Sequence, residues 1–220
     1  MTEPSYLNTT RTSYDTVAVT YAELFRNALD GLPLERGLLT AFAELVQAAG
    51  GGPVADLGCG PGMGTAFLHS LGLDVSGTDL SPTMIELARK EYPDIRFDEG
   101  SMTELDLPDG GLAGAVSWYS IIHTPPERLP VVFAEFDRVL APGGYLLLAF
   151  QASREGASHA AEPFDHKVTL AYRWPIDGVA ELAREAGFVE VARLLREREE
   201  TERFEAGHLL VRKPANPEKA

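Results

Sequence analysis

Apolar positions recur three and four apart through the first part of the chain. Val17, Tyr21, Leu24, Phe25 and Ala28 share one helical face, and Leu34, Leu38, Phe42 and Leu45 share another. The first set predicts a helix over Ser13–Leu29, after a polar, mobile start at residues 1–13, interrupted by Gly31 and Pro33. The second helix ends at Gly50-Gly51-Gly52-Pro53. Then the period changes. Short apolar runs at Val54–Leu57, Leu73–Thr78, Ile95–Phe97, Ala113–Trp118 and Tyr145–Phe150 read as strands. Helical stretches alternate with them, at Met63–Leu71, from Ser81 onward and at Glu127–Leu140. Ser81 suits an N-cap, with Pro82 in the first helical position. Pro142-Gly143-Gly144 is expected to stop the third of these helices. Residues 151–173 read as a long irregular stretch. A helix over Pro175–Ala186 and two strands, Phe188–Arg196 and Arg203–Arg212, follow, the strands joined by a Glu-rich turn and able to pair antiparallel.

Strands alternating with helices predict an α/β fold. The expected architecture is a Rossmann-like, doubly wound, mainly parallel seven-stranded sheet with an antiparallel last strand and an N-terminal helical cap. Residues 1–50 form the cap within the same domain. Residues 51–213 form the binding domain, with a lid at 151–174, and 214–220 are a polar tail. Ligands of such sheets sit at the carboxyl ends of the strands, so the chemistry is expected in the loops after the first four.

Length and charge narrow the partners. At 220 residues the chain suits one domain with a small addition. It carries 19 Lys+Arg against 33 Asp+Glu, a formal net charge of −14, with no basic run to meet phosphates. A nucleic-acid duplex is therefore not an expected partner. Cys59 is the single cysteine, which excludes an internal disulfide and fits a reducing compartment. The N-terminus lacks a secretory pattern. The longest apolar run, Tyr145–Phe150, is too short for a bilayer. A cytoplasmic protein without a membrane partner is expected.

The strongest motif is Asp56-Leu57-Gly58-Cys59-Gly60-Pro61-Gly62, with a further glycine at 64. A strand here runs into a loop whose glycines let backbone approach a ligand, and then into a helix N-terminus with free N–H groups. The dinucleotide fingerprint fails, because Met63 or Thr65 falls where its last glycine belongs. Asp56 would repel a pyrophosphate and suits an ammonium group. Asp79, 19 residues beyond Gly60, ends the second strand. Its carboxylate can accept from both hydroxyls of a ribose; the alternative is a helix cap, for which Ser81 is better placed.

These motifs, with Gly100-Ser101-Met102 and Arg138-Val139-Leu140-Ala141-Pro142-Gly143-Gly144, resemble the class I S-adenosylmethionine-dependent methyltransferases. The resemblance is to the small-molecule, ubiquinone/menaquinone-type branch and spans roughly residues 14–212. It implies S-adenosyl-L-methionine as cofactor, S-adenosyl-L-homocysteine as product, and in-line methyl transfer to O or N of a small molecule. It implies that Asp56, Gly58 and Gly60, with Cys59 between them, meet the methionine part, and that Asp79 holds the ribose. Leu80 and Met84 would pack at the adenine. Ser101 and Met102 would meet its edge and face, with plain core packing as the alternative for Met102. Ser117, Trp118 and Tyr119 would line the reaction centre. Tyr14 and Tyr21 would cap the cofactor from the N-terminal helix, or simply pack its face. Cys59 reads as a small loop residue rather than a catalytic thiol.

His123 is the candidate base, five residues beyond the fourth strand, with a structural histidine bonding a loop backbone as the alternative. His159, Asp165 and His166 match no metal-ligand spacing, so no metal is expected. Phe164, Tyr172, Arg173 and Trp174 could wall an aromatic acceptor under the lid. No Asn-Pro-Pro-Tyr-type tetrapeptide follows the fourth strand, which counts against amide or base nitrogens as acceptors. Two other readings stay open: the bound cofactor used for cyclisation or another group transfer, and a non-catalytic binding subunit. Monomer and homodimer are equally compatible with the sequence.

Overall fold

The computed structural model describes residues 4–153, 160–200 and 202–215. Among them the strands are β1 (Val54–Leu57), β2 (Val75–Asp79), β3 (Arg96–Glu99), β4 (Leu112–Trp118), β5 (Leu140–Gln151), β6 (Glu162–Asp165), β7 (Leu170–Arg173), β8 (Val189–Arg196) and β9 (Ala206–Arg212). The helices are α1 (Ser5–Phe25), α2 (Pro33–Ala48), α3 (Met63–Ser70), α4 (Pro82–Glu91), α5 (Leu129–Val139) and α6 (Ile176–Glu185). Seven strands form one sheet in the order β3-β2-β1-β4-β5-β9-β8. The first five pair parallel, and β9 pairs antiparallel to both β5 and β8. The Rossmann-like expectation holds.

Alternate residues of the central strands feed opposite faces of the sheet. Ala55, Leu57, Leu146 and Leu148 pack with α5 and α6 on one side. Val54, Leu147 and Leu210 pack with α2 and α3 on the other. Covering on both faces explains why β5 is apolar at nearly every position. Leu129, Val132, Phe133, Phe136 and Val139 are all fully buried along α5, each stabilising the fold by roughly 1.5–3 kcal/mol. The chain winds outward from β1 to β3 and then crosses back to β4. The carboxyl ends of β1 and β4 therefore border the switch point at which such sheets bind ligands.

The structure departs from the pattern reading in four places. First, α1 starts at Ser5, not after residue 13. Its polar first turns are held by tertiary contacts. Arg11 Nε donates to the Leu80 carbonyl (3.2 Å), and Asp15 accepts from the Ser81 hydroxyl (2.5 Å). Second, the stretch at Glu127–Leu140 makes a 3-10 turn over Pro126–Arg128 before α5 begins at Leu129. Third, Pro142-Gly143-Gly144 lies inside β5. Leu140 pairs with Leu112 and Tyr145 with Gly114, so the segment between them is a bulge, and Gly143 takes φ +87° within it. Fourth, residues 151–173 contain the antiparallel hairpin β6–β7. Its short strands carry too little apolar pattern to declare themselves. His159 lies outside the described residues.

Candidate functional site

The loop after β1 is shaped by its glycines and by β2. The N–H groups of Gly58 and Cys59 both donate to the Thr78 carbonyl, at 2.7 and 3.0 Å. Gly58 has φ +80°, and a Cβ there would lie 2.2 Å from the Ser120 Cβ. Gly60 has φ +54° but faces open space, with nothing within 4 Å of an added Cβ. Its N–H donates to Asp79 Oδ2 (2.8 Å). Ser81 N–H donates to the other carboxylate oxygen, Oδ1 (2.8 Å). Each oxygen of Asp79 thus receives one backbone bond and keeps acceptor capacity for a ligand. Burial raises the Asp79 pKa, opposed by the Ser81, Gly60 and Leu80 backbone groups. Ser81, not Asp79, caps α4, accepting from Met84 N–H at 3.1 Å.

Asp56 is buried at the end of β1. Its Oδ2 accepts from the Thr65 hydroxyl (2.7 Å), and its Oδ1 has no partner. Loss of hydration pushes its pKa up to about 6.

Two cavities meet over this loop. The smaller, about 100 Å³, is bordered by Tyr14, Asp79, Leu80, Met84, Ser101, Met102 and His123. The larger, about 550 Å³, is bordered by Asp56 and Cys59. Tyr21, Gly58, Gly60, Trp118 and Tyr119 line both. Every residue proposed for the cofactor is therefore at one cavity or both, except Ser117. Ser117 is fully buried behind the wall. Its hydroxyl donates to Ser120 Oγ (2.6 Å), which in turn donates to the Leu57 carbonyl (2.7 Å). The Cys59 thiol donates to the Gly60 carbonyl (3.6 Å) and packs with Ile85 and Phe97. Burial raises its pKa well above the usual thiol value, so it is an inert packing group.

Tyr119 alone among the described non-glycine residues has positive φ, at 56°. Its N–H is held by the Ala149 carbonyl (2.8 Å). The turn aims Trp118 and Tyr119 where the two cavities join, a strained conformation of the kind that collects at functional sites.

His123 is nearly enclosed, and both its ring nitrogens are engaged. The Leu170 carbonyl, 2.9 Å from Nδ1, can only accept, so Nδ1 carries the proton. Nε2 then accepts from the Tyr14 hydroxyl at 2.8 Å. Burial pushes the His123 pKa down to about 4 and the Tyr14 pKa well up. Tyr14 also meets Tyr21 edge-to-face at 5.7 Å.

Several lining residues escaped the sequence reading. Tyr6, Leu7, Thr10 and Arg11 border the smaller cavity. Their spacing of three and four continues that of Tyr14 and Tyr21, which was a usable helical signal. Glu202, Arg203 and Phe204, from the Glu-rich turn, border the larger cavity. That turn is anchored by Arg196, which binds Glu202 through both terminal nitrogens (2.8 and 2.7 Å) and Glu35 through Nε (2.6 Å). Of the expected aromatic wall, Phe164 lines the larger cavity, as does His166. Tyr172, Arg173 and Trp174 do not border it; Trp174 is buried in the core and Arg173 lies over the Phe204 ring at 4.2 Å. Among the described residues no helix is long and apolar enough to cross a membrane.

A Rossmann-like sheet with a glycine loop and an acidic residue closing β2 defines a class, and comparison with known proteins agrees. Residues 54–144 match a family described as a methyltransferase domain. The match spans under half of the chain, and it is this part that is similar to a methyltransferase domain. A demethylmenaquinone methyltransferase of Chlorobaculum parvum is 32% identical over 139 residues, 61% of this chain and 56% of that protein. A carboxy-S-adenosyl-L-methionine synthase of Chromohalobacter salexigens is 32% identical over 143 residues, 60% of this chain and 52% of that protein. The chain spans about half the length of these relatives. Among solved structures, the 1,6-didemethyltoxoflavin-N1-methyltransferase of Burkholderia thailandensis, with 1,6-didemethyltoxoflavin and S-adenosylhomocysteine bound, has a TM-score of 0.74 at 22% identity, covering 97% of this chain and 92% of that one. The [4+2]-cyclase SpnF has the same TM-score, 0.74, at 17% identity, covering 98% and 99%. These two share the fold.

Proposed function

We propose that this chain transfers a methyl group from S-adenosyl-L-methionine to an O or N atom of a small molecule. The observation that carries the reading is the pair Gly60 and Asp79. Gly60 leaves its side of the cavity open, and Asp79 stands against it with acceptor capacity on both carboxylate oxygens. The residues fit a sulfonium nucleoside. Asp79 would take the ribose hydroxyls, and Leu80, Met84 and Met102 would pack the adenine. The partnerless Oδ1 of Asp56 would take the amino group of the methionine part, directly or through water.

The cofactor, when bound, supplies a methyl already activated by a cationic sulfur. The chain's task is then to orient the acceptor and exclude water, which can lower the barrier by ~7–11 kcal/mol in favourable cases. Tyr14 and Tyr21 close the cavity from α1. His123 acts as a positioning residue for Tyr14, because both of its nitrogens are committed. Phe164, His166 and Lys167 of the β6–β7 hairpin and the segment before β9 would form the acceptor wall.

Calorimetric titration with S-adenosylmethionine and S-adenosylhomocysteine tests the reading. Wild type should bind both. Asp79→Asn should bind at least tenfold more weakly, about 1.4 kcal/mol; its amide nitrogen faces one of the two backbone donors, so a modest drop in melting temperature is expected with it. Unchanged affinity would overturn the ribose assignment, and no binding by wild type would overturn the function. Transfer of labelled methyl to an acceptor then separates methylation from a cyclase that merely houses the cofactor.

A further inference from the structure

We infer that the acceptor is a planar aromatic acid, held by its carboxylate at the end of the larger cavity formed by His166, Lys167 and Arg203. The inference rests on the methyl-transfer reading and names the substrate class for the same site. The cavity, about 550 Å³, has room for a ring beyond the glycine loop. Its far wall is aromatic and cationic together. Phe164 and Phe204 meet edge-to-face with centroids 4.9 Å apart. The Arg203 guanidinium lies 5.0 Å from the Phe204 centroid and 5.9 Å from that of Phe164.

Three of its polar groups, on Arg203, His166 and Lys167, are donors. The Arg203 guanidinium gives one N–H to the Asp165 carbonyl at 2.7 Å and carries further donors in its fork. Nδ1 of His166 accepts from Val168 N–H at 3.3 Å. The proton of the neutral ring therefore sits on Nε2, which makes that nitrogen a donor. Burial, with Arg203 and Lys167 nearby, lowers the His166 pKa and keeps the ring neutral. Lys167 adds a second cation.

Three of the four carboxylates that also line this cavity are engaged. Glu202 is neutralised by Arg196, Glu205 is buried with an interaction of its own, and Asp56 lies at the glycine-loop end with Thr65. Asp30 stands on the α1–α2 turn, away from Arg203 in the sequence and on another element. In a chain of net charge −14, donors grouped beside two phenyl rings favour an anion with a flat apolar body. An aromatic acid anchored there would point its other edge toward Gly60 and Tyr119, where the two cavities join.

The test uses protein saturated with S-adenosylhomocysteine and three matched probes: 4-hydroxybenzoate, 4-hydroxybenzamide and tyramine. The benzoate should bind at least tenfold more tightly than the amide, and tyramine weakest. Arg203→Met should erase the preference for the carboxylate and leave S-adenosylhomocysteine affinity within twofold of wild type. Lys167→Met should reduce the preference in the same direction. Equal binding of acid and amide, tighter binding of tyramine, no binding of any probe, or an Arg203→Met protein that keeps the preference would each overturn it. Failure of the underlying reading shows separately, as absence of S-adenosylhomocysteine binding in the first titration.

Discussion

The Tyr14 hydroxyl donates to Nε2 of His123 at 2.8 Å, joining positions 109 residues apart. The same imidazole donates from Nδ1 to the Leu170 carbonyl on β7. One neutral ring therefore ties the N-terminal helix, the turn after β4 and the β6–β7 hairpin around the smaller cavity.

Tyr14→Phe keeps the ring contact with Tyr21 and deletes the donor. The buried Nε2 of His123 is then unsatisfied, which should cost about 1–3 kcal/mol of stability. Thermal unfolding should show the loss, and titration should show weaker S-adenosylmethionine binding. An unchanged melting temperature would mean that the bond carries no weight.

The pH dependence of turnover follows from the same bond. Burial holds His123 down at about 4, so it stays neutral throughout the range in which a free histidine titrates. The kcat/KM profile should show no limb from this residue near pH 6.5. A limb there that disappears in His123→Asn would restore the role of general base.

Asp56 should give the opposite of a stabilising carboxylate. Its folded pKa, about 6, lies above the ordinary value of 3.8. The folded state therefore binds the proton more tightly, and stability is lost as pH rises through 6. The penalty at pH 8 is ~3 kcal/mol by linkage. Asp56→Asn should unfold at a higher temperature than wild type at pH 8. The gain should shrink through pH 6 and vanish near 4, while S-adenosylmethionine affinity falls at pH 8. Denaturation curves across that range decide it.

Gly58 and Gly60 should respond differently to alanine. At 58 the new Cβ would meet Ser120 at 2.2 Å, so the loop or β4 turn must move and stability should drop. At 60 the Cβ meets no protein atom, and the left-handed backbone should cost only about 1–2 kcal/mol. Gly60→Ala should remain folded yet bind the cofactor poorly, as circular dichroism and titration can show together.

Arg196 is nearly buried between Glu35, which is fully buried, and Glu202. Arg196→Met should destabilise by about 3–5 kcal/mol because it leaves a buried carboxylate uncompensated. The double variant Arg196→Met/Glu35→Gln should recover part of that loss in chemical denaturation. A purely additive result would mean the two side chains are not coupled.

What the sequence determined by itself was whatever is set within a few residues. The alternation of apolar runs placed β1 to β5 and the helices between them. The Ser81 cap acts on neighbouring backbone, and the glycine loop and Asp79 sit at strand ends that the pattern marks, so their places could be read from the sequence. The first turns of α1 could not, because Arg11 and Asp15 are held by Leu80 and Ser81, more than 60 residues away. Nor could the ties on His123, or the turn of Glu202 to Phe204 as a cavity wall. In the sequence that turn is a run of charges, which ordinarily means solvent. Only the fold brings Arg196 against Glu35, 161 residues apart, and removes their water. Desolvation and long-range hydrogen bonds are properties of the packed chain. They engage both ring nitrogens of His123 and make a charged turn a cavity wall.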